Sequence, residues 1–244
     1  MLTASRASGL ATVSLSSWKW RTQISTVPSQ QRKNTLATAA LRAAAHLRDS
    51  PLLDAYQYLT EERGISRETL ARFHIGLVPD DDPDFGEYAG WISIPYLTPT
   101  GFVDIRFRNP EPGGKPKYKS QPGAQGRIYN PTAILQARDT LVISEGEFDT
   151  IILSQAGLHA IGIPGASAWR KPFELAIHGF ENIIICEDGD DSGAGAGLTA
   201  TIVKGLDWAK TVRFEGCDVN DYYLQHGAQA LRDKVLAPLG KDDE

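Results

Sequence analysis

The chain has 244 residues, with 25 Lys and Arg against 30 Asp and Glu for a formal net charge of −5, and 41% of it is apolar. That suffices for one or two globular domains, since chains of this length bury roughly three quarters of their unfolded surface. Cys186, inside an apolar run, and Cys217, beside an aspartate, are its two cysteines, which excludes a disulfide scaffold and a four-cysteine zinc site. No stretch approaches the roughly 20 uninterrupted apolar residues of a membrane span, so the sequence predicts a soluble protein of a reducing compartment with no membrane partner.

Charge is unevenly spread. Residues 1–48 hold seven basic residues (Arg6, Lys19, Arg21, Arg32, Lys33, Arg42, Arg48) and no acid. This Ser/Thr/Ala-rich start has the composition of a disordered or partly helical basic arm, and also that of an organellar transit peptide; it lacks the continuous apolar run of a secretory signal. Trp18-Lys19-Trp20-Arg21 could stack on nucleic acid.

From Leu36, apolar residues recur at helical spacing through Ala40, Ala43, Ala44 and Leu47. Ser50-Pro51 offers a cap and first-turn proline for a helix over about Leu52 to Glu62, which Arg63-Gly64 ends. Ser66 caps a short helix through Phe73, and a loop rich in aspartate and proline follows between Gly76 and Gly86. Trp91 to Leu97 and Phe102 to Arg108 then alternate with period two around a turn containing Pro99 and Gly101, which predicts a hairpin with Arg106 and Arg108 on one face. Asn109 to Arg127 is rich in Gly, Pro and Lys, and Arg127-Ile128-Tyr129 can pair with the sheet.

Beyond Thr140 strands and helices alternate: strands over Thr140–Ser144, His159–Ile163, Asn182–Glu187 and Thr211–Phe214, with helices over Phe148–Ala156, Trp169–His178 and Gly193–Leu206 between them. This is the pattern of a mainly parallel sheet covered on both faces. Helices over Asn220–Gln225 and Ala228–Leu236 close the chain. The fold class is therefore α/β, divided as a basic arm (1–48), a smaller mixed α+β subdomain (49–137), a mainly parallel sheet flanked by helices (138–216) and a helical end (217–244).

The acids fall at the strand ends. The first parallel strand runs into Glu145-Gly146-Glu147-Phe148-Asp149, and the third into Glu187-Asp188-Gly189-Asp190-Asp191, about 43 residues on with one strand–helix unit between. Ligands of open α/β sheets bind outside the carboxyl ends of the strands. If the two strands are neighbours, Glu145, Asp188 and Asp190 converge, with Asp149 one helical turn beyond Glu145. Gly-Asp clusters are also common turn chemistry. Carboxylates gathered this way, with no histidine or thiolate, favour Mg²⁺ or Mn²⁺ over zinc.

With these motifs the chain resembles the Toprim domain of DnaG-type primases, topoisomerases and some nucleases. Glu145-Gly146-x-x-Asp149 is similar to the primase EGxxD motif, Asp188-Gly189-Asp190-x-x-Gly193 to its DGDxAG motif with Ser192 for the usual alanine, and Asp218-Val219-Asn220-Asp221 to its third acidic motif. Upstream, Tyr58-Leu59, Arg63-Gly64-Ile65 and Phe73-His74-Ile75-Gly76 resemble the opening of the primase core. Trp91 to Pro95 resembles its RIxFPI strand, Lys115 to Ser120 its PKYxNS segment, and Arg127-Ile128-Tyr129 stands where that family has a basic residue and LYG. The likeness covers about residues 50–236.

The resemblance implies a DNA primase, a nucleotidyltransferase making short RNA primers on single-stranded DNA from ribonucleoside triphosphates. Glu145, Asp188 and Asp190 are then the catalytic metal ligands, Glu145 also a general base, and Asp149 and Asp218 further ligands or their supports. Lys115, Lys117, Lys119, Arg106, Arg108 and Arg127 would bind nucleotide and nucleic acid. The Trp91 segment lacks the family's leading arginine and Lys119 replaces a leucine. Nothing matches the family's zinc-binding module or a GxxxxGK[ST] motor motif, so a separate zinc-binding module or replicative helicase is an expected partner. A Toprim nuclease and a non-catalytic nucleic-acid-binding subunit are the competing functions. The implied setting is the cytoplasm of a bacterial or phage-infected cell, with an organelle as the alternative.

Overall fold

A computed structural model describes residues 28–111, 113–164, 168–189 and 194–241. Its helices are α1 (Gln30–Asp49), α2 (Asp54–Gln57, running into a π-helical turn over Tyr58–Glu62), α3 (Arg67–Arg72), α4 (Thr132–Gln136), α5 (Glu147–Gln155), α6 (Lys171–Ile177), α7 (Ala194–Val203) and α8 (Val219–Leu236). Its strands are β1 (Gly76–Leu77), β2 (Ile92–Thr98), β3 (Gly101–Arg108), β4 (Tyr118–Ser120), β5 (Thr140–Ser144), β6 (Ala160–Gly162), β7 (Asn182–Gly189) and β8 (Lys210–Glu215). They form an antiparallel sheet, order β1-β2-β3-β4, and a parallel sheet, order β6-β5-β7-β8. A smaller antiparallel subdomain thus precedes a parallel sheet flanked by helices, the Toprim-type architecture.

The helix expected from Leu36 starts six residues earlier, where the Ser29 hydroxyl accepts a hydrogen bond from the Arg32 N–H. Its stripe of Leu36, Ala39, Ala40, Ala43 and Leu47 is buried, and it packs on β1 and β3. The contact needs Gly76, because a Cβ there would stand 2.3 Å from the Ala43 carbonyl carbon. Residues 30–49 are therefore one continuous helix packed on the antiparallel sheet. Composition hid this because the acids that answer the helix lie far along the chain: Arg42 binds Asp82 at 2.7 Å and Asp84 at 2.8 Å. The second helix begins at Asp54, later than Ser50-Pro51 suggests. Tyr129 bridges to Gly162 of β6, not to the antiparallel sheet, with backbone hydrogen bonds of 2.8 and 3.1 Å.

In the parallel sheet the chain steps outward from β5 to β6 and then crosses back to β7, so β5 and β7 flank the point where strand order reverses. Alternation along these strands divides the core. Val142 and Ile184 pack with Ile92, Ile94 and Tyr96 of β2, Ile151 and Ile152 of α5, and Leu231 and Val235 of α8. Leu141, Ile143, Ile183 and Ile185 face the other way onto Ile177 of α6 and Leu198 and Ile202 of α7. The two helices expected near the carboxyl end are the two arms of α8, which breaks at Gly227, where φ is +80°. Among the described residues no helix is long and apolar enough to cross a membrane.

Candidate active site

The two acidic runs meet because β5 and β7 are hydrogen-bonded neighbours in parallel register, Leu141 beside Ile183 and Ile143 beside Ile185. Gly146 caps α5, and a Cβ there would come within 2.5 Å of an Asp149 carboxylate oxygen, so the glycine lets Asp149 fold back over the turn. Acids in this first turn also meet the positive end of the helix. Asp188 lies half-buried one residue from the end of β7, held against β8 by a close approach at Gly189, whose Cβ would stand 1.8 Å from the Phe214 carbonyl oxygen. Asp218 caps α8 by accepting the Asp221 N–H at 2.7 Å.

Glu145, Asp149, Asp188 and Asp218 line one cleft of about 440 Å³, and Arg63, Arg106, Arg108 and Lys117 line it from the antiparallel side. Burial pushes the Asp149 carboxyl well above the ordinary carboxylate range, and the charges of Asp188 and Asp218 push it further, with Arg63 opposing them. An oxygen-only donor set under such repulsion fits a hard divalent cation in kind. Among the described residues no three such side chains are close enough to count as a formed metal site. Asp190, the third expected ligand, lies outside the described residues, as do Ser192, Gly193 and the Trp18 to Arg21 tetrad. Burial also pushes the Cys186 thiol up, which keeps it a neutral core residue.

The basic wall is built by strand alternation. Arg106, Arg108 and Tyr118 share a face because Arg108 pairs with Tyr118 and Arg106 with Ser120 across β3 and β4. Arg108 donates to the Tyr118 hydroxyl at 2.8 Å and to the Tyr58 hydroxyl, while its buried Nε has no hydrogen-bond partner. Burial raises the Tyr118 phenol to about 12, so it stays protonated at working pH. Arg63 donates to the Tyr58 hydroxyl at 2.8 Å and to Asn220 Oδ1 at 3.0 Å, and Asn220 Nδ2 donates back to the Arg63 carbonyl at 2.7 Å. Lys115 lines an adjoining hollow of about 460 Å³ that shares Arg63, Arg108 and Lys117 with the cleft.

Two expected members of this wall lie elsewhere. Lys119 pairs with Phe107 and therefore takes the opposite face, where its ammonium lies 4.2 Å over the Trp91 ring. Arg127 sits 3.5 Å from Asp104 and lines two small hollows, one of which shares Arg106 with the cleft, and is not itself among the cleft's lining residues. In turn, Tyr58, Arg63, Tyr118, Asn220 and Glu147 support the site without having been singled out for it. The signal was present for four of them, which lie inside or beside the quoted motifs. Glu147 filled a position the EGxxD pattern leaves open.

No protein-family model matches the chain. It is 25% identical over 250 residues to the DNA primase of Haemophilus influenzae, covering 84% of this chain and 42% of that protein. It therefore spans about two fifths of the length of that relative. The solved DnaG catalytic core superposes with a TM-score of 0.65 at 19% identity, over 84% of this chain and 79% of that one. Fold and weak sequence homology together place the chain in the broad primase/Toprim superfamily, whose Toprim domain implies possible use of a divalent metal. The gene 57 protein of Mycobacterium phage D29 is 32% identical over 154 residues, covering 61% of this chain and 99% of that protein. The chain belongs to that phage protein's family.

Proposed function

We propose that the chain is the catalytic core of a DNA primase, joining ribonucleotides on a single-stranded DNA template. One observation carries this reading: the acids at the strand-order reversal face Arg63, Arg106, Arg108 and Lys117 across a single cleft. Nucleotidyl transfer needs both sides. A 3′-hydroxyl attacks the α-phosphorus of a triphosphate, a P–O bond forms, the bond to pyrophosphate breaks and the hydroxyl proton must be taken up. Glu145, Asp188 and, from the sequence, Asp190 would hold Mg²⁺ or Mn²⁺, with Asp149 and Asp218 beside them; such an ion lowers the hydroxyl pKa and neutralises phosphate charge. Glu145 takes the proton. Arg63, Arg108 and Lys117 hold the phosphates, the guanidiniums in fixed orientation because Tyr58, Tyr118 and Asn220 fix them. Template selection would fall to a separate zinc-binding module or helicase, and the expected setting is the cytoplasm of a bacterial or phage-infected cell.

The test is incorporation of labelled ribonucleotides on single-stranded DNA with Mg²⁺ or Mn²⁺, comparing the parent with Asp188→Asn and Glu145→Gln. Metal-dependent product that both substitutions abolish supports primer synthesis. Shortened DNA and released nucleotides would move the site to phosphodiester hydrolysis. Salt-sensitive DNA binding with no product, even with a zinc-binding partner supplied, would make the chain a binding subunit.

A further inference from the structure

Glu147 is the acid in the cleft with the least in common with its neighbours. It lies between Glu145 and Asp149 in the chain, yet it is only 1% exposed and its carboxylate turns toward the antiparallel subdomain. There Oε1 accepts the Tyr96 hydroxyl at 2.7 Å and Arg106 Nη1 at 2.7 Å. Tyr96 comes from β2 and Arg106 from β3, so one oxygen ties the start of α5 to two strands of the other sheet. Arg106 is fixed on its other side by stacking at 4.2 Å on the Tyr118 ring. The Tyr129 ring packs edge-on against Tyr96 at 5.1 Å. A buried ion pair gives little net stability over apolar groups of the same shape, so it is better understood by the arrangement it specifies.

That arrangement matters because Arg106 lines the same cleft as Asp149 and Asp188. A guanidinium there without its own partner would turn to those carboxylates and compete with any cation they hold. We propose that Glu147 is a positioning residue, not a metal ligand: it occupies Arg106, cancels its charge and keeps it out of the cluster of Glu145, Asp149 and Asp188 that would hold the divalent ion. This rests on the metal-dependent reading of the site, and it assigns opposite roles to acids two residues apart.

The experiment is direct Mn²⁺ binding followed by electron paramagnetic resonance, without nucleotide or DNA, on the full chain and on Glu147→Gln, Arg106→Gln and the double variant. A unit charge moved to within about a nanometre of a divalent ion changes its binding on the order of tenfold. Glu147→Gln should therefore raise the half-saturating Mn²⁺ concentration about tenfold, and the double variant, which has no loose guanidinium and the same net charge as the parent, should return to within about twofold of it. Arg106→Gln alone should bind at least as tightly as the parent, a result that stands even if Glu147→Gln does not fold. A double variant as weak as Glu147→Gln would make Glu147 a ligand and overturn the proposal. So would an unchanged Glu147→Gln midpoint, which would leave the pair a purely structural tie. A parent that binds no Mn²⁺ refutes the metal reading itself, and this role with it.

Discussion

Asn220 is fully buried at the start of α8, and its carboxamide ties that helix to Arg63: Nδ2 to the Arg63 carbonyl at 2.7 Å, Oδ1 from the guanidinium at 3.0 Å. Asn220→Ala removes both bonds. The neutral one contributes about 1 kcal/mol, the charged one about 1.5–3, and the carbonyl left without its partner costs about 1–3 more where water cannot reach it. These overlap, so the expected loss is about 3–5 kcal/mol, read from urea unfolding as a lower midpoint at unchanged slope. At about 2–4 °C per kcal/mol for a chain of this size, Tm should fall by about 10 °C. Asn220→Asp keeps an acceptor for the guanidinium and loses only the donor to the carbonyl, so it should recover about half of the loss. The same pair sets where Arg63 points, so polarisation of a labelled single-stranded oligonucleotide should show weaker binding by Asn220→Ala at temperatures where the variant is folded. A stability loss under about 1 kcal/mol would refute the reasoning, since it would mean that water replaces the carboxamide and the link is not buried in solution.

Gly189→Ala should be among the most damaging single changes, costing more than about 3 kcal/mol, because its Cβ would stand 1.8 Å from the Phe214 carbonyl oxygen and force β7 from β8 beside Asp188; a cooperative melt within 2 °C of the parent would contradict this. Lys117→Ala should weaken oligonucleotide binding and lower its salt slope by about one, while Lys119→Ala, on the opposite face, should leave both unchanged; equal effects would show that the strand crosses both faces. Asp82 gives a pH signature. Burial pushes its carboxyl up, yet hydrogen bonds from Arg42 and from the Phe85 and Asp84 N–H groups outweigh that and hold it below its ordinary value. A depressed folded pKa stabilises the fold above the unfolded value, near 4, and that contribution is lost as pH falls through the folded one. The difference in urea midpoint between the parent and Asp82→Asn should accordingly be largest above about pH 5 and shrink toward pH 3; a gap that is constant with pH would remove the charge from the explanation.

Much of the parallel half was legible because its rules are local. Thr140–Ser144 alternates between two apolar faces, Gly and Asp punctuate the strand ends, and the acids stand where a strand meets a helix, so the neighbouring of β5 and β7 alone was needed to bring Glu145 and Asp188 together. The basic wall was legible to the extent that period two applies. It placed Arg106 and Arg108 correctly on one face, and the same rule, with the register of β4 against β3, sends Lys119 to the other. That register is a long-range fact, set by the pairing of Phe107 with Lys119, and no local pattern in the Gly- and Pro-rich segment before Tyr118 fixes it.

What the sequence could not reveal is where the partners of a charged side chain lie when tens of residues separate them. Arg42 finds Asp82, Arg63 finds Asn220 and Arg106 finds Glu147, spacings of 40, 157 and 41 residues. In each pair one residue read alone suggested something else: a basic arm, a helix terminator, a phosphate-binding arginine. Only packing shows that a charge is already answered, and an answered charge does different work from a free one. Arg108 makes the contrast within one strand. Its two terminal nitrogens are held by neutral phenols, which orient the guanidinium without cancelling it, so its full charge faces the cleft; Arg106, two residues earlier on the same face, meets a carboxylate and brings almost none. Loss of Arg108 should therefore weaken phosphate binding far more than loss of Arg106, although alternation treats the two as equivalent.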